Sequence, residues 1–95
     1  MPTILIKKSV GTFAENKDVA REIRIKKILP NLAKRKKIAL DFSQVTGATQ
    51  SFVHALISDA IRQYGDEALD LIIFKNCSPI VKEIIATVTE YMQES

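Results

Sequence analysis

The sequence predicts an α/β fold in which a small layered β-sheet carries helices packed on it, within a single domain over residues 1–95. Strand-like and helix-like segments alternate along the chain in the order β-α-β-α-β-α, as in layered α/β proteins. With 46% hydrophobic and 26% charged residues, the composition is that of one globular core. Three glycines and three prolines are too few for a many-turned all-β architecture, which favours longer regular elements.

Three short apolar runs predict the strands. The first extends from Thr3 to Lys7 and ends before Gly11. The second, 38–42, is a nearly continuous apolar run, and the third covers 69–74, with Leu-Ile-Ile-Phe at 71–74 as its apolar core. Uninterrupted apolar runs of this length are typical of buried strands in α/β sheets.

The first predicted helix begins after a cap at Asn16 or Asp18 and extends toward Leu29. Its apolar residues occupy one side of the helix up to Ile23 and another side from Ile25 onward. This change of face predicts a bend, a break near Pro30 or burial on two sides. The four basic residues 34–37 then form a solvated link to the second strand.

Two further helices have clear boundaries. Apolar residues recur at three- and four-residue spacing over 52–64, and Gly65 stands where a helix ends. Ser78 followed by Pro79 predicts the start of the last helix, because a hydroxyl caps the first turn and proline suits the first helical position. Functional loops of such folds lie at the carboxyl ends of the strands, here the predicted loop 43–50 and the segment 75–78.

The charge distribution is polarised along the chain. Residues 1–37 have a net charge of +8, whereas residues 38–95 have a net charge of −5. The simplest interpretation is one basic and one acidic surface. The alternative is a nucleic-acid-associated protein whose basic half, 17–37, contacts phosphates. The residues of that candidate patch are Arg21, Arg24, Lys26, Lys27, Lys34, Arg35, Lys36 and Lys37.

The sequence lacks the motifs of the common catalytic and metal sites, which argues against an enzyme. The three glycines are isolated, so no glycine-rich phosphate loop is present, and there is no Gly-x-Ser-x-Gly elbow. A single cysteine and a single histidine, Cys77 and His54, predict neither a disulfide nor a metal site. We therefore expect no cofactor and no metal.

No signal peptide or membrane-spanning run is recognisable, so we expect a cytoplasmic protein without a membrane partner. An exposed sheet edge or the apolar face of 25–32 leaves a homodimer open.

The stretch from Ile38 to Leu56, read as Ile-Ala-Leu-Asp-Phe-Ser-Gln-Val-Thr-Gly-Ala-Thr-Gln-Ser-Phe-Val-His-Ala-Leu, resembles the centre of a STAS domain, the fold of anti-sigma factor antagonists. The run 72–81 is similar to the next strand, loop and helix of that family. The combination of apolar-Asp-Phe-Ser-x-Val with Thr-Gln-Ser-Phe is closer still to the STAS-like family of unknown function. The resemblance covers about residues 38–92 well, and the first third matches loosely.

This resemblance implies a non-catalytic regulatory module that docks a kinase-like ATPase partner, of the histidine-kinase-like type, through loop 43–50 and the start of helix 51–64. Classical antagonists accept a phosphate on the first Ser of an Asp-Ser-Ser-Gly motif. Here Thr49 takes the place of the Asp, Gln50 that of the first Ser and Ser51 that of the second, while Phe52 replaces the Gly. Gln50 accepts no phosphate, so Thr49 or Ser51 takes over that role if a phospho-switch exists.

The residues themselves also favour this end of the helix as a contact site. Thr49 or Ser51 can cap the helix, and the positive end of its dipole favours a phosphate or a carboxylate. Thr46 lies in the loop, and His54 borders it and is expected to be exposed. Asp41 and Ser43 are expected to shape the loop by hydrogen bonds between the carboxylate and loop amides.

Overall fold

The computed structural model describes residues 1–94. For Glu94 it describes only the backbone. Three parallel strands form the main sheet in the order β1-β3-β5: β1 (Thr3–Leu5), β3 (Ile38–Asp41) and β5 (Ile72–Lys75). Two two-residue strands, β2 (Phe13–Ala14) and β4 (Gly47–Ala48), pair in parallel as a second small sheet. The predicted α/β fold, with helices packed on a small sheet, is confirmed.

Six α-helices accompany these strands in the described chain. The short ones are α1 (Ile6–Val10), α3 (Leu29–Ala33) and α5 (Asp66–Leu71). The longer ones are α2 (Lys17–Ile23), α4 (Gln50–Tyr64) and α6 (Pro79–Glu94). The helix α4 packs against both α2 and α6, so that it forms the centre of the helical layer. None of the described helices is long and apolar enough to span a membrane.

One face of the main sheet carries the core. The register places Ile4, Leu40 and Phe74 side by side, and Ile38 beside Ile72, all within the same apolar cluster. The helices complete this cluster with side chains that exclude water, mainly Ile28, Leu32, Phe52, Val53, Leu56, Ile57 and Val81. Burying each such side chain contributes roughly 1.5–3 kcal/mol, so the helical layer and the sheet stabilise each other.

The change of apolar face in the first long helix has a geometric cause. Between α2 and α3, residues Arg24–Ile28 form one π-helical turn, with the Leu29 amide donating to the carbonyl of Arg24 five residues earlier. The wider turn places Ile23 and Ile28, five residues apart, in the same core. Of the predicted face 25–32, Ile28 and Leu32 are thus buried, whereas Ile25 is 48% exposed. Asn16 caps this helix by accepting from the amides of residues 18 and 19.

Several predicted boundaries were wrong. The first strand ends at Leu5, because Ile6–Val10 form α1. The third begins at Ile72 rather than at Leu69, because 66–71 form α5. The predicted loop 43–50 is partly regular, since Gly47–Ala48 pair with β2 and α4 begins at Gln50. The prediction for the last helix is confirmed, because the Ser78 hydroxyl accepts from the Val81 amide at 3.2 Å.

Candidate functional site

The carboxyl ends of β3 and β5 meet around the carboxylate of Asp41. Its Oδ1 accepts the Ser43 amide at 2.8 Å, the Ser43 hydroxyl at 2.6 Å and the Asn76 side-chain amide at 3.1 Å. The Ser43 hydroxyl, followed by the Ser43 amide and Asn76, lowers the pKa of Asp41 below its ordinary 3.8, because each donor stabilises the charged form. The ionised carboxylate thereby ties the turn after β3 to the turn after β5.

The pair of short strands brings the next residues to the start of α4. The Thr46 amide and hydroxyl both donate to the Thr12 carbonyl, at 2.7 and 3.1 Å. Gly47 leaves room for the ring of Phe13, which lies 2.9 Å from the position that a Cβ would occupy. The Thr49 amide then donates to the Ala14 carbonyl at 2.9 Å. Residues 46–49 are thus attached to residues 12–14, and this attachment positions the first turn of α4.

The structure distinguishes the two hydroxyls that could cap α4. Thr49 Oγ1 accepts the Phe52 amide at 3.0 Å, so Thr49 is the N-cap. Ser51 is exposed on the first turn, and its hydroxyl makes no hydrogen bond within the described part of the chain. Gln50 beside it is also exposed. The Ser51 hydroxyl is therefore accessible for contact or modification without loss of the cap.

A groove runs between α4 and α6 beside this first turn. The groove has a volume of about 450 Å³ and is lined by Gln50, Ser51, His54, Ala55, Thr87, Val88 and Tyr91. His54 is half-buried in the α4 wall, whereas the sequence predicted that it would be exposed. We refer to this feature as the α4–α6 groove. It brings together Gln50, Ser51 and His54 of the predicted site.

The residues of the α6 wall of the groove were not predicted from the sequence as part of the site. Thr87, Val88 and Tyr91 lie more than 30 residues after loop 43–50, and only the packing of α6 on α4 brings them together. The signal available in the sequence was an excess of apolar residues on the last helix. Val81, Ile85, Val88 and Met92 fill the buried face, yet Ile80, Ile84 and Tyr91 remain at helical spacing on a neighbouring face.

The predicted basic patch does not form one uniform surface. Arg24 is directed onto α4, where its Nη1 donates to the Ala55 carbonyl at 3.1 Å and its Nε lies 3.5 Å from Asp59 Oδ2. Arg35 pairs with Glu67. Lys26 pairs with Glu22 at 3.7 Å and remains exposed. The six exposed bases are Arg21, Lys26, Lys27, Lys34, Lys36 and Lys37.

The basic link 34–37 and the candidate site lie at opposite ends of the central strand β3. The link enters β3 at its amino end, whereas Asp41 and the segment 43–50 follow its carboxyl end. A ligand bound at the first turn of α4 is consequently not held by the basic residues of the link.

Comparison with known proteins identifies a family for about two thirds of the chain. A family model described as a STAS-like domain of unknown function matches residues 20–82, which include α2, β3, the segment 43–50, α4 and β5. No curated protein and no solved structure matches the chain.

Proposed function

The chain belongs to the family of STAS-like domains of unknown function, and on that premise we propose that it is a non-catalytic regulatory module that binds a partner protein. A regulatory role is what a STAS-like domain suggests. The proposed docking surface is the segment 43–50 with the first turns of α4, including the α4–α6 groove. The partner we propose is a histidine-kinase-like ATPase, as for the anti-sigma factor antagonists that the sequence resembles.

The observation that carries this proposal is that the hydroxyls of Thr49 and Ser51 have different roles in the fold. Thr49 caps α4, whereas the exposed Ser51 hydroxyl lies in the wall of the α4–α6 groove. A surface contact at Ser51 therefore does not compete with the folding of the helix. The positive end of the α4 dipole favours negative charge at the same place.

The same arrangement provides a switch. If the ATPase partner transfers the terminal phosphoryl group of its ATP to Ser51, the serine oxygen exchanges its proton for the phosphoryl group and ADP is released. The added charge of about −2 stabilises the helix end but must be desolvated when a partner covers the groove. Binding to the unmodified form is then favoured over binding to the modified form.

The test is affinity purification of the tagged chain from its source organism, followed by mass spectrometry. Wild type is compared with Ser51→Asp and with the matched control Ser51→Asn, which has the same size without the charge. We expect a stoichiometric ATPase or regulator with wild type and with Ser51→Asn, and clearly less with Ser51→Asp. Equal recovery with all three proteins contradicts docking at this surface.

Thr49 allows a second pair of variants. Asp and Asn are both good N-caps, so Thr49→Asp and Thr49→Asn preserve the first turn of α4. They differ only in charge at the edge of the groove. We expect Thr49→Asp to weaken the complex relative to Thr49→Asn.

One observation favours nucleic-acid binding as a second candidate function. The six exposed bases of 21–37 leave positive charge on the surface of the first half of the chain, and the link 34–37 lies at the opposite end of β3 from the proposed docking surface. Arg24 and Arg35 already have acidic partners, which reduces the charge offered to phosphates. Retention of nucleic acid that falls steeply with salt supports this candidate, and either no retention or retention that does not change with salt contradicts it.

A further inference from the structure

We propose that the partner also inserts one apolar side chain, flanked by Asp or Glu residues, into a basic cavity at the carboxyl ends of β1 and β3. This inference rests on the proposed function, since it specifies the chemistry of the partner beside the same docking surface. It follows from the lining of the cavity, from its charge and from its continuity with the segment 43–50.

The cavity has a volume of about 380 Å³, and we refer to it as the β1–β3 cavity. It is lined by Leu5, Lys7, Lys8, Asp41, Ser43 and Gln44. Pockets that hold drug-sized ligands have volumes of roughly 300–1,000 Å³, so this cavity is at the small end of that range. It therefore suits one large side chain rather than a whole helix.

The apolar surface of the cavity comes from Leu5, which ends an edge strand. In the described sheet β1 pairs with β3 alone, and Leu5 is 42% exposed. Phe13 is 47% exposed and its ring lies against Gly47, so a second exposed apolar side chain borders the segment 43–50. Covering the exposed part of Leu5 with another apolar group removes apolar surface from water, which favours binding.

Two lysines make the rim of the cavity positive. Lys7 and Lys8 are exposed, and neither forms an ion pair with a described residue. The carboxylate in the lining, that of Asp41, already accepts three hydrogen bonds on Oδ1 and lies beside Lys75 of β5. No acidic residue precedes Glu15 in the sequence. Negative charge on the occupant is therefore favoured at this rim.

The turn after β3 joins the cavity to the proposed docking surface. The Lys7 ammonium group donates to the side-chain oxygen of Gln44. Gln44 has a φ of 63°, in the left-handed region that residues other than glycine rarely adopt. Such a conformation persists where the surrounding structure holds it in place. Since Ser43 and Gln44 belong to the segment 43–50, an occupant of the cavity also contacts that segment.

The same lining disfavours other occupants. A small anion or a nucleic-acid backbone satisfies the two lysines but leaves Leu5 without an apolar partner. The acidic helix α5 of a second copy does not offer a free apolar side chain, because Leu69 and Leu71 pack against its own core. An acidic segment of a partner protein with one apolar residue matches both the lysines and Leu5.

The probe is a displayed library of randomised 12-residue peptides, selected on the purified wild-type chain. Peptides that also bind Leu5→Ser are removed, and because this variant keeps the net charge, nonspecific acidic binders are removed with them. Serine is favoured at the N-cap of α1, where Leu5 stands, so the variant is expected to fold, which a circular dichroism spectrum checks. We expect enriched peptides in which a large apolar residue is flanked by Asp or Glu. Enrichment of basic or uncharged peptides, or no enrichment, overturns the proposal.

The enriched peptide then allows a charge reversal on exposed residues alone. We expect Lys7→Glu/Lys8→Glu to weaken its binding by about tenfold, and a peptide with Lys in place of its acidic residues to regain affinity for that variant. The matched control Lys36→Glu/Lys37→Glu reverses another adjacent pair of exposed lysines at the opposite end of β3. We expect this control to change the affinity by less than about threefold. Equal effects of the two double variants overturn the assignment of the basic rim.

The outcomes for the two proposals are separable. If affinity purification yields a partner that is sensitive to Ser51→Asp but unaffected by Lys7→Glu/Lys8→Glu, the proposed function stands and the cavity inference fails. If no partner is sensitive to Ser51→Asp, the proposed function fails.

Two further results identify a different occupant. A wild-type chain that dimerises, and becomes monomeric in Leu5→Ser, identifies a second copy and overturns the cavity inference. Saturable binding of inorganic phosphate that is lost in Lys7→Glu/Lys8→Glu, without any enriched peptide, identifies a small anion and also overturns it.

Discussion

Replacing Thr49 by alanine removes the side-chain cap of α4 and nothing else of comparable size. The Thr49 hydroxyl oxygen is the acceptor for the Phe52 amide at 3.0 Å, whereas the Thr49 backbone amide keeps its own bond to the Ala14 carbonyl. Loss of a threonine N-cap costs about 1 kcal/mol, within a range of roughly 0.5–2. For a chain of this size the melting temperature falls by about 4–8 °C per kcal/mol.

The assay is urea unfolding followed by the helical circular dichroism signal. We expect Thr49→Ala to lower the free energy of unfolding by about 1 kcal/mol. Thr49→Ser and Thr49→Asn are expected to keep it near the wild-type value, since both side chains retain an acceptor. The matched control is Ser51→Ala, which removes an exposed hydroxyl and is expected to change stability by less than about 0.5 kcal/mol. If Thr49→Ala leaves the free energy of unfolding unchanged, or if Ser51→Ala lowers it equally, the assignment of Thr49 as the cap and of Ser51 as the accessible hydroxyl is refuted.

Two further predictions concern the packing of the helices and the response to acid. Arg24→Ala removes the hydrogen bond to the Ala55 carbonyl and the ion pair with Asp59, so we expect the free energy of unfolding to fall by about 1–2 kcal/mol; an effect equal to that of exposed Lys27→Ala contradicts the contact. Because hydrogen bonds lower the pKa of Asp41 in the folded chain, its contribution to stability is present above about pH 4 and is lost as the pH falls through the folded value. We expect the difference in free energy of unfolding between wild type and Asp41→Asn to shrink as the pH falls from 6 to 3, and a difference that is constant with pH contradicts this account.

The sequence predicted the long regular elements because their signals are long. Seven apolar residues at helical spacing, bounded by Gly65, predict α4, and the Ser78-Pro79 pair predicts the start of α6. The apolar run 38–42 likewise predicts β3, the central strand. Each of these signals is local, so no knowledge of the remaining fold is needed.

Three elements that were not predicted, β2, β4 and α5, lack such local signals. The strands β2 and β4 have two residues each, which is too few for any alternation, and they exist because residues 12–14 and 46–49 lie side by side in the folded chain. The second half of α5, residues 69–71, has the pattern of a strand because Leu69 and Leu71 continue the apolar run of β5. The π turn left a trace in the sequence, the change of apolar face after Ile23, but its geometry depends on the core that the helix meets.

One side of the candidate site could likewise be predicted from the local sequence, and the other side could not. Its α4 side, with Thr49, Gln50 and Ser51, was visible from the sequence because it lies next to the loop and is contiguous. Its α6 side depends on the packing of two helices that are distant in the chain. Sequence reasoning also could not show that Arg24 is directed onto α4, because an arginine among other bases looks exposed until a carboxylate such as that of Asp59 faces it.

Hydrogen exchange of the chain in complex with its recovered partner tests the docking surface most directly. The account predicts slower exchange of backbone amides in the segment 43–54 and along 84–91 of α6, with no change in the basic link 34–37. Slower exchange confined to 17–37, with the first turn of α4 unaffected, would contradict the central claim and assign the function to the basic half of the chain.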